Sequence, residues 1–386
     1  MKGFTTVYLL MILLALVMAL VMIIGAACGF AARSEIDTVC ASAGRSVLSE
    51  YQKDLYERYG IFALRADDAL LTRLASFYAT GSLAVIKALV RPFPVRIYAS
   101  AEAHPALETA AFARQVRRLA PVAALTKGSV IEYLKSFITS SDSGLSELSG
   151  GSEGLSELGE GTDPEGFDPA KQAEKELGKE KGGAKGNTVK TADYRELPSR
   201  LLGYPKRVSL LLSGGITDLS FAAAIEDEYM LAVCSNALNE KEDCYLQREI
   251  EYILYGNASD AANFKAVKLS LFALRMAVNE VKYLSESGEL LLSTAAAAAL
   301  SIEEVKTLIG GGKVDGLDYG LYLRILLALL PRNEKLARLM DIMQLDLRLV
   351  QNANFSFKNY AYGFDLSAVF IMKKRLGDVE QTFIYR

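Results

Sequence analysis

The chain begins with a long, unbroken apolar stretch. After Lys2, no charged residue occurs between Gly3 and Ala32. A helix needs about 20 apolar residues to cross the bilayer core, whereas the apolar region of a cleaved signal peptide usually has about 7 to 15. The length of this run therefore predicts a retained transmembrane anchor over residues 1–32, with a signal peptide as the competing interpretation.

The charges that flank the apolar run indicate an orientation. Lys2 lies on one side of the run, and Arg33, Glu35 and Asp37 lie on the other. The positive-inside preference weakly favours a cytoplasmic N-terminus. We therefore expect a single-pass protein of the cell membrane whose C-terminal head is extracytoplasmic.

Two glycines make the end of the anchor a candidate packing face. Gly25 and Gly29 are four residues apart, and small residues at this spacing let two helix backbones approach closely in lipid. The pair predicts a site of membrane helix packing. Glycine is also common in membrane helices in general, so a purely compositional interpretation stays open.

The pattern after the anchor predicts an amphipathic helical stalk over residues 33–60. Its apolar positions recur every three or four residues, as on one face of a helix. We expect the helix to continue from the anchor to about Tyr59 and to stop at Gly60. The stripe is a candidate interface with other copies or partners, and it consists of Ile36, Cys40, Ala43, Val47, Tyr51 and Leu55.

The rest of the chain divides into three segments by composition. Residues 61–138 are mixed and predict the first half of a head. Residues 139–192 predict a disordered linker or insertion, because the stretch from 141 to 187 holds 16 charged residues and 11 glycines. Residues 193–386 predict the second half of the head, which is mostly helical and ends in strands.

Periodicity predicts an α+β fold that is mostly helical. Alternating patterns at Val95–Ala103, Tyr362–Met372 and Glu380–Tyr385 predict strands, and we expect the two C-terminal strands to pair with the early one. This pairing would make the two halves one mixed helix and antiparallel-strand head. Helical spacing predicts helices at about 70–89, 107–119, 129–138, 225–239, 247–254, 264–283, 290–309, 319–330 and 334–350.

The composition leaves little material for catalysis or for nucleic-acid binding. The net charge is −3, too weakly basic for a nucleic-acid footprint, and the chain has one histidine, His104, and four scattered cysteines. No Gly-x-Ser-x-Gly, HExxH or Cys–His pair occurs. We therefore expect no enzymatic activity, no cofactor, no metal and no nucleic-acid partner, and we expect His104 to be a surface or capping residue.

Cys234 and Cys244 are ten residues apart. In an oxidising compartment they could close a small disulfide loop worth about 2–3 kcal/mol. Two independent thiols are the alternative.

Several segments resemble one family. The opening KGFTTV (2–7), the long anchor and AAR (31–33) resemble TadE/TadG-like proteins of tight-adherence (Flp) pilus systems. SEYQKDLYERYGIFAL (49–64) is similar to the signature of an uncharacterised branch of these proteins found mostly in Firmicutes. Similar pieces follow in the same order, namely IEYLK (131–135), REIEYILYG (248–256), LDYGLYLRILLALL (317–330) and MDIMQLDLR (340–348).

The chain departs from two patterns associated with these systems. Cleavage after Gly3 would put Tyr8 where processed type IV pilins carry glutamate, and the Asp-x-Ser-x-Ser metal motif of some TadG-like proteins is absent from the sequence. The resemblance therefore implies neither pilin processing nor that metal site.

The resemblance implies a non-enzymatic structural or assembly component, similar to a minor pseudopilin, of a Tad/Flp-type pilus or secretion apparatus. The membrane, other assembly proteins and further copies of the chain would be its partners. The alternative is a membrane-tethered extracytoplasmic module that binds or senses a ligand.

Overall fold

A computed structural model of the chain describes residues 2–89, 95–120, 168–178, 186–204, 221–287, 290–350, 353–372 and 375–385. Helices dominate these residues, and the strands pair in antiparallel fashion. The predicted α+β class is therefore confirmed. The helix predicted at 129–138 lies outside the described residues.

The chain forms two compact units rather than two halves on either side of a linker. Unit 1 comprises residues 1–56, 62–108 and 358–386, and unit 2 comprises residues 57–61 and 109–357. The boundaries expected at 138 and 193 thus differ from the observed ones. Unit 2 is an insertion in the sequence of unit 1, because the C-terminal strands return to pair with the early strand.

Unit 1 contains the long N-terminal helix and all the named strands. Its elements are α1 (Lys2–Leu48), α2 (Lys53–Tyr59, which crosses the boundary between the units in sequence), β1 (Leu64–Arg65), α3 (Asp68–Leu89), β2 (Val95–Ser100), β3 (Tyr360–Ala361), β4 (Gly363–Met372) and β5 (Arg375–Ile384). The strands form a three-stranded sheet in the order β2-β4-β5 and a two-stranded sheet of β1 and β3.

The predicted pairing between the early strand and the C-terminal strands is confirmed. Ile97 of β2 lies opposite Ala368 of β4, and Phe364 of β4 lies opposite Phe383 of β5. Alternate residues of β2 and β4 point towards α1 and α3, which gives the period of two that the sequence shows.

The stalk is not one continuous helix to Tyr59. Helix α1 ends at Leu48, and α2 begins at Lys53. The break has a non-local cause, since the backbone N–H of Gln52 donates to the carbonyl of Ala63 at 2.8 Å instead of continuing the helix.

The stalk stripe has an intramolecular role, which corrects its assignment as an interface. Ile36, Cys40, Ala43 and Val47 are buried in a core that also contains residues of α3, β2, β4 and β5. Leu55 is also buried, and Tyr51 is half-buried. The period of three to four residues therefore records packing within the chain, and these side chains do not form an open surface.

Unit 2 is helical. Its helices are α4 (Thr109–Leu119), α5 (Pro169–Leu177), α6 (Thr191–Arg195), α7 (Pro198–Leu201), α8 (Phe221–Val233), α9 (Glu249–Tyr255), α10 (Asp260–Ser287), α11 (Leu290–Ile309), α12 (Tyr319–Ala328) and α13 (Arg332–Val350). Helix α13 is buried without interruption from Glu334 to Leu347, so it forms the centre of the unit.

Part of the predicted disordered linker is ordered. Asp168 caps α5 by accepting hydrogen bonds from the N–H groups of Ala170 and Lys171, and Leu177 is buried. The ammonium of Lys268 donates to the carbonyl of Leu177 at 2.6 Å. Charge and glycine content alone thus misassigned residues 168–178 and 186–192. The remaining linker positions, 139–167 and 179–185, lie outside the described residues.

Candidate functional site

The first half of α1 is an exposed apolar surface. We call residues 8–30 the exposed helix segment, because its large apolar side chains, from Tyr8 to Ile24 and at Phe30, are mostly exposed. The helix has a mean hydropathy of 3.1 over its most apolar window, none of which is buried. Among the described residues, this one helix is long enough and apolar enough to span a membrane.

Burial along α1 changes abruptly after this segment. Phe30 is 76% exposed, whereas Ala32 is 3% and Ile36 is 0% exposed. One continuous helix therefore has an uncovered apolar part and a part that supports the core of unit 1. Because the helix is unbroken across this change, the two parts are mechanically coupled.

Gly25 and Gly29 both lie in the exposed helix segment. A separation of four residues places them on one face of α1. Both glycines are partly exposed, and their role in membrane helix packing stays a prediction.

A shallow groove lies beside the end of the exposed helix segment, within unit 1. It encloses about 410 Å³ and is lined mainly by charged and polar side chains: Phe30, Arg33, Ser34, Asp37, Val379 and Glu380. The amide of Gln381 donates to the carbonyl of Asp37 at 3.0 Å, which joins β5 to α1 beside the groove.

The four cysteines have different surroundings. Cys28 is exposed on α1, Cys40 is buried in the core of unit 1, Cys234 is buried in unit 2, and Cys244 is half-buried there. All four are separate thiols in this structure. The disulfide between Cys234 and Cys244 stays a prediction that depends on the redox compartment.

His104 lies in unit 1, after β2. Its Nε2 is 3.2 Å from a carboxylate oxygen of Asp365 on β4, and its carbonyl accepts a hydrogen bond from the N–H of Tyr362. Its backbone and side chain thus join the end of β2 to the region of β4, so His104 has a structural role.

Unit 2 contains a polar cluster that the sequence analysis did not identify. The Sγ of Cys244 and one carboxylate oxygen each from Glu249 and Asp346 all lie within 4.8 Å of one another. Cys244 is on a loop, Glu249 is the first residue of α9, and Asp346 is on α13. We call these three residues the Cys-Glu-Asp cluster.

Asp346 is fully satisfied by hydrogen bonds. Its Oδ1 accepts from the N–H of Tyr245 at 2.7 Å, and its Oδ2 accepts from Arg58 at 2.9 Å and from the hydroxyl of Tyr59 at 2.5 Å. The same Arg58 nitrogen lies 3.7 Å from the sulfur of Cys244. The arginine therefore compensates the charge of the aspartate and orients it towards the thiol.

Glu249 is less well satisfied. Its Oε2 accepts a hydrogen bond from the N–H of Ser235 at 2.7 Å, but its Oε1 is buried and makes no hydrogen bond with any described residue. Burial, followed by the nearby charge of Asp346, raises the pKa of Glu249 well above its usual range.

The thiol of Cys244 is held in its neutral form. Burial, followed by the charges of Glu249 and Asp346, raises its pKa to about 12. A thiol with this pKa is a poor nucleophile, so the cluster does not have the properties of a cysteine-nucleophile site.

Asp341 on α13 belongs to a second set of buried polar groups, and its role is structural. Both oxygens of Asp341 accept hydrogen bonds, from the N–H and hydroxyl of Ser199 and from the hydroxyl of Tyr252 at 2.8 Å. Arg338 pairs with Glu334 and donates to two carbonyls that precede the end of α9. These groups fasten α7, α9 and α13 together.

The local sequence contains only a faint sign of the Cys-Glu-Asp cluster. Cys244 and Glu249 are five residues apart, which matches no common metal motif. Asp346 comes about 100 residues later and joins them only because α13 packs beside α9. Tertiary structure was therefore needed to identify the cluster.

Comparison with known proteins gives one match. A family model with the description "family of unknown function (DUF5702)" matches residues 189–310 and 303–372. Together these residues are a little under half of the chain. The matched region includes the Cys-Glu-Asp cluster and ends in β4. No curated protein matches the chain, and no solved structure does.

Proposed function

We propose that the chain is a non-enzymatic single-pass membrane protein that acts as a structural or assembly component, similar to a minor pseudopilin, of a Tad/Flp-type pilus or secretion apparatus. The observation that carries this proposal is the double role of α1. Its first part is an uncovered apolar helix, and its last part is a buried strut of unit 1.

The exposed helix segment needs a covering. Burying one large apolar side chain is worth about 1.5–3 kcal/mol, and this segment exposes many of them on all sides. A bilayer satisfies such a helix around its whole circumference. Partner helices in the membrane would cover one face of it, and the face with Gly25 and Gly29 allows the closest approach.

The packing of unit 1 suits a part of an assembly. An apolar N-terminal helix whose distal part packs on an antiparallel sheet is a pilin-like arrangement, and the resemblance of the opening residues and of residues 49–64 to TadE/TadG-like proteins supports the same system. In this proposal the N-terminus is cytoplasmic, the exposed helix segment crosses the membrane, and unit 2 and the rest of unit 1 are extracytoplasmic. Movement of the anchor would pass directly to the sheet, because α1 is continuous to Leu48.

A membrane-tethered binding module is the second candidate, and the groove beside Arg33 is the observation that favours it. Ligand pockets are usually concave and mainly apolar. This groove is lined mostly by charged and polar groups, of which Asp37 and Glu380 are acidic and Arg33 is basic. In this second candidate function the groove would therefore hold a polar or charged ligand rather than an apolar one.

A crosslinking pull-down of the full-length protein from its native membrane tests the proposal. We expect mass spectrometry to recover pilus-assembly ATPase, platform or pilin components. Replacing Gly25 and Gly29 with leucine should reduce this recovery, because the larger side chains separate the helix backbones.

A matched double variant controls for bulk. Ala15→Leu with Ala19→Leu has the same spacing and similar added volume, but lies about 80° around the helix. Loss of partners in the glycine variant alone supports the packing face. Recovery of no assembly component, or unchanged recovery in the glycine variant, contradicts the proposal.

A further inference from the structure

We propose that the Cys-Glu-Asp cluster of unit 2 is a binding site for a zinc-type divalent transition-metal ion, with Cys244, Glu249 and Asp346 as its protein ligands. This inference is independent of the proposed assembly role, because it concerns unit 2 and its outcome does not depend on any partner protein.

The donor set selects the class of ion. A cysteine sulfur and two carboxylate oxygens suit Zn²⁺, which accepts both kinds of ligand in a four-coordinate site. Calcium and magnesium require oxygen ligands, and calcium needs six to eight of them. A thiolate therefore directs the site towards zinc and ions of similar softness.

The spacing of the ligands fits an open site. In a tetrahedral zinc site with bonds of about 2.0–2.3 Å, neighbouring ligand atoms are about 3.5 Å apart. The three atoms here lie within 4.8 Å of one another, so a contraction of at most about 1.3 Å brings them to coordination distance. Three protein ligands leave a fourth position for water.

The unpartnered oxygen of Glu249 is an independent indication of a ligand. Its residue is 1% exposed, and Oε1 makes no hydrogen bond with any described residue. Asp346 and Cys244 lie beside this carboxylate, and the N–H of Ser235 donates to its other oxygen. Buried polar atoms are nearly always satisfied, and a cation at the centre of the cluster would satisfy this one.

The charge of the surroundings matches a divalent ion. When the ion binds, the thiol of Cys244 releases its proton to solvent. The thiolate and two carboxylates then give −3, a zinc ion gives +2, and the guanidinium of Arg58 beside Asp346 gives +1. The loaded site is therefore neutral, which a buried position requires. Tyr59 and Arg58, which both donate to Asp346, would act as outer-sphere groups that hold this ligand in place.

The site also has an entrance. Cys244 is half-buried, whereas Glu249 and Asp346 are buried. An ion could thus reach the two carboxylates past the sulfur. The predicted disulfide with Cys234 would consume the same sulfur, so the ion and the disulfide exclude each other.

The test uses the full-length protein in detergent, with its thiols reduced and metal removed by dialysis against a chelator. Zinc is then added, and bound metal is measured by elemental analysis and by competition with a chromophoric chelator. Cobalt is added to a second sample to detect thiolate-to-metal charge transfer and tetrahedral d–d bands. We expect one equivalent of zinc and a thiolate band.

Two substitutions of ligands and two controls define the site. Cys244→Ser and Glu249→Gln should each weaken binding by about tenfold or more, and Cys244→Ser should abolish the thiolate band. Glu242→Gln, an exposed acid on the same loop, and Cys28→Ser, an exposed thiol outside unit 2, should change neither quantity.

Circular dichroism separates loss of the site from loss of the fold. If Glu249→Gln unfolds the protein, Cys244→Ser at the half-exposed position decides the question. The inference is overturned if the folded, reduced protein binds less than a stoichiometric amount of zinc. It is also overturned if bound cobalt shows no thiolate band, or if Cys244→Ser binds metal as the unmodified chain does.

Discussion

The contact between Gly44 and Phe383 provides a direct test of how α1 packs on the sheet of unit 1. A Cβ atom added at Gly44 would lie 2.2 Å from Cζ of Phe383, and 2.4 and 2.6 Å from its two Cε atoms. The ring is confined on its other side, because it stacks on Phe364 with ring centroids 5.4 Å apart. Phe364 is itself fully buried, so the half-buried ring of Phe383 cannot move further into the core.

The magnitude follows from two opposing effects of Gly44→Ala. Overpacking a well-filled core costs about 1–3 kcal/mol, and alanine gains about 0.8–1 kcal/mol over glycine within a helix. The net destabilisation of unit 1 should thus be between about zero and 2 kcal/mol. In a Phe383→Leu background the clash is removed, so the same change should stabilise by up to about 1 kcal/mol. The coupling energy between the two positions is therefore about 1–3 kcal/mol.

A cysteine-labelling assay reports on unit 1 alone. Cys40 is buried in the core of unit 1, while Cys234 and Cys244 belong to unit 2. Labelling of the peptide that contains Cys40 is measured by mass spectrometry across a urea series, in the full-length protein in detergent. Ser42→Ala is the control, since Ser42 is an exposed position on the same helix of unit 1, two residues from Gly44. Equal effects of Gly44→Ala in both Phe383 backgrounds would refute the packing described here.

Three further changes test unit 2. Gly256→Ala should destabilise unit 2 by about 1–3 kcal/mol, because Gly256 has φ +63° and an added Cβ would lie 2.8 Å from Nε of Arg338. A urea titration measures this loss. Gly311→Ala is the comparison that separates the clash from backbone strain, because Gly311 has φ +85° but no atom within 4 Å of an added Cβ. Leu177→Ala should cost about 2–5 kcal/mol in the same titration, and an effect near zero would contradict the ordered α5. Burial raises the pKa of Asp341 to about 6, so the native state holds its proton more tightly than the unfolded state. The contribution of Asp341 to stability should then fall by about 3 kcal/mol as the pH rises from about 4 to about 6, and this slope should be absent in Asp341→Asn.

Local patterns in the sequence were sufficient for several elements. Helix α11 spans Leu290–Ile309 as predicted, because its composition and the glycines that follow it decide its limits locally. The pairing of the strand at Val95 with the C-terminal strands was also predicted, since alternation indicates strands and few candidate partners exist.

Features that depend on distant contacts were not predictable in this way. The break after Leu48 comes from the bond between Gln52 and Ala63, which no helical period reveals. The amphipathic stripe of α1 could not show whether its cover was another copy or the sheet of its own chain. Order in residues 168–178 depends on the burial of Leu177 in unit 2, and the Cys-Glu-Asp cluster depends on the packing of α13.

A photocrosslinking scan along the exposed helix segment tests the central claim most directly. A photoreactive amino acid is placed at each position from 8 to 30 in the full-length protein in its native membrane, with Ile36, which is buried in unit 1, as the internal control. The account predicts crosslinks to assembly proteins that recur with a helical period of about 3.6 residues and are strongest beside Gly25 and Gly29. Protein crosslinks without any period, or crosslinks to lipid alone at every position, would contradict it.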